Sequence, residues 1–231
     1  MWISSRVETE RSVNWSLVIF DCDGVLVDSE PTSNRVMRKM LTEIGLPMSI
    51  EQTEREFVGR AMEACLRIIE RRLGRPAPPD FEERYDSRVF AAFRTELRPV
   101  PGVREVLKRI QHPYCVASSG SHAKMRMTLG LTELLPSFEG RMFSATEVTR
   151  GKPHPDLFLY AAKSLGAAPE GCAVVEDTPR GVLAGVAAGM TVFGYAGRTP
   201  QRELASAGAR CFEDMEELPE LLVTTIPRPV T

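Results

Sequence analysis

The sequence predicts an α/β fold: a parallel sheet covered by helices on both faces, with an all-helical insert after the first strand. Three observations carry this. Short, wholly apolar runs recur along the chain, helical patterns separate them in the second half, and no such run interrupts residues 31–97. An apolar run stopped by polar residues suits a strand buried on both faces, as a parallel sheet requires. Strands alternating with helices build such a sheet.

The first run is Leu17-Val18-Ile19-Phe20. Tyr114-Cys115-Val116-Ala117, Cys172-Ala173-Val174-Val175 and Thr191-Val192-Phe193 resemble it, and Met142-Phe143 is a weaker fifth. Among the helices, Val103, Val106, Leu107 and Ile110 recur at helical spacing. Residues 156–165 follow Pro155 and stop at Gly166, which predicts a helix with proline at N1 and glycine at C′. Thr178-Pro179 opens another helix that ends near Gly189, with Thr178 as its cap. Gly181, Gly185 and Gly189 recur every fourth residue, which reads as close packing of that helix on the sheet. No Gly-x-Gly-x-x-Gly nucleotide fingerprint is present.

The insert shows three apolar faces. They are Val36, Met37, Met40, Leu41 and Ile44; then Cys65, Leu66, Ile69 and Leu73; then Phe81, Tyr85, Val89, Phe93 and Leu97. Residues 74–79, Gly-Arg-Pro-Ala-Pro-Pro, cannot continue a helix and separate the last two. Pro99-Val100-Pro101-Gly102 is the expected exit.

With 231 residues, 43% hydrophobic and 26% charged, the chain has the composition of a globular protein, which excludes whole-chain disorder. Twenty-nine Lys and Arg against 31 Asp and Glu argue against a dedicated nucleic-acid binder. No apolar run approaches the roughly 20 residues of a membrane span. Residues 1–14 are polar, lack the apolar stretch of a signal peptide, and read as an N-terminal extension. The five cysteines are odd in number, scattered, and contain no Cys-x-x-Cys pair. That argues against structural zinc and fits a reducing cytoplasm.

Parallel sheets hold ligands at the carboxyl ends of their strands. Asp21-Cys22-Asp23-Gly24 follows the first run, Ser118-Ser119-Gly120 the second, and Glu176-Asp177 the fourth, while Gly151-Lys152-Pro153 precedes a helix. Carboxylates gathered at one edge repel each other unless neutralised. A hard divalent cation such as Mg²⁺, which takes carboxylates together with substrate phosphate, would neutralise them. One aspartate could then attack phosphorus while Ser118 and Lys152 hold the oxygens that gain charge.

These segments resemble the haloacid dehalogenase (HAD) superfamily. Residues 21–30, Asp-Cys-Asp-Gly-Val-Leu-Val-Asp-Ser-Glu, look like its first signature. Ser118, Lys152 and Glu176-Asp177 match the second, third and fourth in order, and the likeness spans roughly residues 16–215. It implies a Rossmann-like core, residues 15–29 and 99–231, with an inserted helical cap at 30–98. It implies that Asp21 is the nucleophile and that Asp23 is the general acid and then base. Mg²⁺ would be held by Asp21, the Asp23 backbone carbonyl and Asp177, with Glu176 near the metal or its waters. Ser118 would contact the phosphoryl group, with Ser119 and Gly120 beside it and Ser119 the alternative register, and Lys152 would balance charge.

In the insert, Gly59-Arg60 falls where related enzymes keep a specificity loop. Arg60 is a candidate for an anionic substrate group, or a surface ion pair; Lys124 is a similar candidate, and His122 another residue near the second signature. Asp23 argues against dehalogenation, and Lys39 is the insert's only lysine for phosphonatase chemistry. The related phosphomutases carry a histidine about twelve residues past the nucleophile, where this chain has Ser33. The expectation is a Mg²⁺-dependent phosphatase of small phosphorylated metabolites, sugar or sugar-acid phosphates, with no nucleic-acid or membrane partner. The alternatives are a sugar phosphomutase of the β-phosphoglucomutase type and a metabolite-binding regulatory module on the same fold.

Overall fold

The computed structural model describes residues 15–225. The expected extension at 1–14 lies outside the described residues. Among them, six strands form one parallel sheet: β1 (Leu17–Phe20), β2 (Tyr114–Ser118), β3 (Met142–Ser144), β4 (Cys172–Glu176), β5 (Thr191–Tyr195) and β6 (Arg210–Phe212). Their spatial order is β3-β2-β1-β4-β5-β6. The chain therefore runs outward from β1 on one side, then returns to lay β4 on the other. That reversal opens a crevice at the carboxyl ends of β1 and β4.

Both faces of β1 are buried, and its side chains alternate between two cores. Val18 and Phe20 join one with Trp15, Phe138 and Phe193. Leu17 and Ile19 join the other with Leu157, Phe158 and Val192. Cys115 and Cys172 are buried free thiols among these apolar groups.

Four helices stand between β1 and β2: α1 (Glu30–Glu43), α2 (Ile50–Phe57), α3 (Met62–Leu73) and α4 (Phe81–Glu96). Three of them carry the three predicted faces. The fourth, α2, buries only Thr53 and Phe57, too few to make a stripe. A capping box at Ser49 and Gln52 starts it. The unit joins the sheet through two adjacent crossings, where Asp28 N–H donates to Arg98 O and Val100 N–H donates to Leu26 O.

The remaining helices cover the sheet: α5 (Val103–Arg109), α6 (His122–Leu131), α7 (Leu135–Phe138), α8 (Asp156–Ser164), α9 (Pro179–Ala187), α10 (Gln201–Ser206) and α11 (Leu218–Thr224). Helix α8 corrects the sequence reading by one position, because Pro155 occupies the N-cap and not N1. Thr178 caps α9 as predicted, its hydroxyl accepting from Gly181 N–H. No described helix is long and apolar enough to cross a membrane.

The glycine spacing in α9 has the expected basis at Gly185. A Cβ there would lie 2.6 Å from Val192 Cγ2 and 3.5 Å from Val174 Cβ, so the helix rests directly on β4 and β5. Gly185→Val should cost about 1–3 kcal/mol through overpacking. A urea melt checks this, and unchanged stability would contradict the close contact.

Candidate active site

Strand ends deliver the acidic residues, because each strand stops where its apolar run meets a polar residue. Asp21 follows β1, Ser118 ends β2, and Glu176-Asp177 closes β4. Lys152 arrives from the loop before α8. Its ammonium donates to Asp21 Oδ1 at 2.5 Å, Glu176 Oε1 at 2.7 Å and Ala117 O at 3.3 Å. It also lies 4.8 Å from the centre of the Phe158 ring. Lys152 is only 6% exposed and Glu176 1%, so these ion pairs are sheltered from water. The two carboxylates hold Lys152 charged against the cost of burial, and its pKa rises.

Asp21 is pushed up to about 7, first by burial and then by the charges of Glu176 and Asp23, although Lys152 opposes this. Asp177 is raised further above the usual carboxylate range by burial and by Glu30, Glu176 and Asp21. Asp23 goes the other way. Burial opposes its ionisation, but Lys124 and Ser29 outweigh it and lower the pKa. Lys124 Nζ donates to Asp23 Oδ2 at 2.8 Å, and Ser29 Oγ donates to Asp23 Oδ1. The two aspartates of one turn thus meet opposite environments.

Glycines make room for this arrangement. Gly24 adopts φ +82°, and a Cβ there would overlap Asp177 Oδ2 at 1.9 Å. A Cβ on Gly181 would overlap Glu176 Oε1 at 1.6 Å. Around Gly120, the Cβ position lies 3.4 Å from Ser118 Oγ, 3.2 Å from Lys124 Cδ and 3.9 Å from Asp23 Oδ2. Ser118 is buried and its hydroxyl accepts from Gly120 N–H, whereas Ser119 is half-buried.

The Glu176 carboxylate is engaged on both sides. Its Oε1 takes Lys152, while Oε2 accepts from Asp177 N–H, Thr178 N–H and Thr178 Oγ1. Both oxygens are engaged by donors, so Glu176 holds Lys152 and the Asp177 loop in place. Lys124 meets Asp23 and does not stand free for substrate. His122 pairs with Glu147 at 2.9 Å on the surface. Arg60 makes no ion pair among the described residues, and its Nε is buried without a partner. Sequence reasoning also passed over Glu30, pushed up to about 7 by burial and Asp23, and Arg180, which donates to Lys152 O at 2.6 Å. Both stand inside motifs the sequence displayed, yet their placement depends on helix phase.

The residues fit a hard divalent cation. Asp177 Oδ1 is buried with no hydrogen-bond partner. Four buried or half-buried carboxylates (Asp21, Asp23, Glu176 and Asp177) face two ammoniums, Lys124 and Lys152, leaving a negative excess. Among the described residues no three His, Cys, Asp or Glu side chains form a metal cage. Two carboxylates and a backbone carbonyl instead suit Mg²⁺, which keeps several waters.

The family model described as haloacid dehalogenase-like hydrolase matches residues 15–189. The chain belongs to this family. It is 32% identical to the 6-phosphogluconate phosphatase of Escherichia coli over 88% of this chain and 93% of that one. It is 30% identical to a phosphorylated carbohydrates phosphatase of Thermotoga maritima over 89% of this chain and 97% of the relative. A solved haloacid dehalogenase-like protein of Agrobacterium tumefaciens superposes with a TM-score of 0.78 at 33% identity, covering 90% of this chain and 98% of that one. This hydrolase therefore shares the fold of its family.

Metal binding and protonation should compete at this site. Folded Asp21 has a pKa of about 7 against an ordinary 3.8, so without metal its contribution to stability is full below about pH 4. That contribution is lost as pH rises through 7. Added Mg²⁺ should therefore raise Tm more at pH 8 than at pH 5.5, and Asp177→Asn should remove most of the rise. Equal shifts at both pH values, or an undiminished shift in the variant, would place the cation elsewhere.

Proposed function

We propose that this hydrolase is a Mg²⁺-dependent phosphatase of small phosphorylated metabolites, sugar or sugar-acid phosphates, working through an aspartyl-phosphate on Asp21. The enzyme is a phosphoric monoester hydrolase. One observation carries the reading: Lys152 bridges Asp21 and Glu176 in a buried cluster beside Asp177, while Asp23, two residues from Asp21, is separately held by Lys124 and Ser29. The names of the Escherichia coli and Thermotoga maritima relatives support the substrate class.

When bound, Mg²⁺ would be held by Asp21, Asp177 and the Asp23 carbonyl, and would neutralise charge on the phosphoryl oxygens. Asp21 attacks phosphorus in line, and the ester oxygen leaves with a proton from Asp23. Lys124 and Ser29 keep Asp23 ionised in the free enzyme. An arriving phosphoryl dianion raises its proton affinity by like-charge repulsion, and Asp23 takes up from solvent the proton that it then donates. Asp23, left deprotonated by the first step, then takes a proton from the water that cleaves the aspartyl-phosphate. Ser118 donates its hydroxyl to a phosphoryl oxygen, with Ser119 and Gly120 beside it. Lys152 favours the anionic form of Asp21 against the burial that pushes its pKa up to about 7, and neutralises charge as the new bond forms. Arg60 reaches from the helical unit, residues 30–98, which caps the core of residues 15–29 and 99–231. Such a cap excludes water.

Asp21→Asn should lower turnover by about 10⁴-fold or more. Asp23→Asn should lose about 10²–10⁴-fold yet keep the Mg²⁺-dependent rise in Tm. Both are measured by phosphate release from a panel of sugar, sugar-acid, polyol and nucleotide phosphates. A panel left untouched with Mg²⁺ present would favour a binding module. Conversion of a hexose 1-phosphate to its isomer without free phosphate would mean a phosphomutase, which the serine at position 33 argues against.

A further inference from the structure

The loop that follows β2 is held by the end of the neighbouring strand. Strands β2 and β3 pair in parallel, and Ser144 is the register partner of Ser118, so the two serines end adjacent strands at the same level. Both side chains are buried. Beyond them, residues 119–121 lead into α6, and Ala145–Glu147 forms a short turn.

Ser144 uses its hydroxyl in full. Its Oγ lies 2.8 Å from Gly120 O. A carbonyl can only accept, so the single proton of Ser144 goes to Gly120. The same oxygen accepts from Thr146 N–H at 3.2 Å and, with its own proton committed, from the Thr146 hydroxyl at 2.9 Å. This turn reaches the loop a second time. Glu147 Oε2 accepts from Ser144 N–H at 2.7 Å and meets Nε2 of His122, the first residue of α6, at 2.9 Å. The loop after β2 is thus tied to the end of β3 at Gly120 and again at His122.

Gly120 transmits that order to Ser118. Its carbonyl is held by Ser144, and its N–H donates to Ser118 Oγ at 3.0 Å. An N–H that occupies one lone pair of a hydroxyl oxygen restricts where the O–H can point. Among the described residues the Ser118 hydroxyl donates to no protein acceptor, although the side chain is buried. Proteins rarely bury a donor without an acceptor unless something else completes it. The place a Gly120 Cβ would take lies 3.4 Å from Ser118 Oγ and 3.9 Å from Asp23 Oδ2, so this free donor stands beside the acidic turn.

We propose that Ser144 is a positioning residue of the phosphoryl site: it holds Gly120 so that the Gly120 N–H fixes the Ser118 oxygen and leaves the Ser118 proton for a phosphoryl oxygen. The proposal rests on the phosphatase reading, in which Ser118 contacts the phosphoryl group, and it adds a residue that lies in none of the four signatures. Ser144 itself touches no substrate and acts through Ser118.

A double-mutant cycle tests this, read as affinity for inorganic phosphate in a phosphorus NMR titration with Mg²⁺ present. Ser118→Ala should weaken phosphate binding about tenfold, the loss of one hydrogen bond to a charged group. Ser144→Ala should weaken it about three- to tenfold in the wild-type background and leave it unchanged in the Ser118→Ala background. If Ser144→Ala does not fold, the cycle is read with Ser144→Cys, which nearly keeps the volume and offers only a weak donor. Unchanged affinity in either single variant would overturn the proposal. So would a double-variant loss equal to the product of the single losses, the result a merely structural serine would give.

The same cycle in kcat/KM, with a hexitol monophosphate and a phosphorylated aldonic acid, should show the same pattern. If wild type hydrolyses no phosphate ester, the phosphatase reading fails, and the phosphate affinities still decide whether Ser144 acts through Ser118. If wild type binds no phosphate, the proposal for Ser144 fails.

Discussion

The site depends on an imbalance of buried charge. Asp21, Asp23, Glu176 and Asp177 stand at one edge of the sheet, and among the described residues their ion-pair partners are Lys124 and Lys152. Carboxylates removed from water repel each other and resist ionisation, which is why Asp21 and Asp177 shift upward. The same strain makes the site receptive to a divalent cation. It also explains why Glu176, engaged on both oxygens, is a brace. Its carboxylate holds Lys152 in place, and Lys152 in turn opposes the upward shift of Asp21.

The fold makes that concentration of charge possible. Two apolar cores fasten both faces of β1, so the turn after Phe20 starts from a rigid strand. Reversal of strand order between β1 and β4 leaves a crevice where Asp21 and Asp177 can face each other. Glycine is required at two approaches. Gly24 supplies a left-handed turn beneath Asp177, and Gly181 leaves the volume that the Glu176 carboxylate fills. Polar residues crowd the edge because the backbone yields space there.

Much of this was legible in the chain, and the rest was hidden for identifiable reasons. Central strands announce themselves because burial on both faces demands continuous apolar residues. Strand β6 escaped notice because it lies at the sheet edge, where Arg210 is exposed and only Phe212 is buried. Helix α2 hides because Thr53 and Phe57 are its only buried residues, although Ser49 and Gln52 spell its start. Helix α6 buries Thr128 beside Met125 and Leu129, so its apolar stripe is interrupted. Its phase decides that Lys124 turns toward Asp23, and spacing from the serines does not reveal that pairing.

The sequence by itself determined the parallel sheet, the helical insert, the order of the signatures and the residue types gathered at the strand ends. Strand ends are local events: an apolar run stops, a polar residue follows, and the sheet's polarity places it on one edge. Tertiary structure decided which charge answers which. Lys124 rather than an insert residue reaches Asp23, and Glu176 accepts from Lys152, two backbone N–H groups and the Thr178 hydroxyl. Those pairings follow from helix phase and packing, and they join residues as far apart as Asp23 and Lys124, 101 positions along the chain. A one-dimensional pattern carries no distance across such a gap.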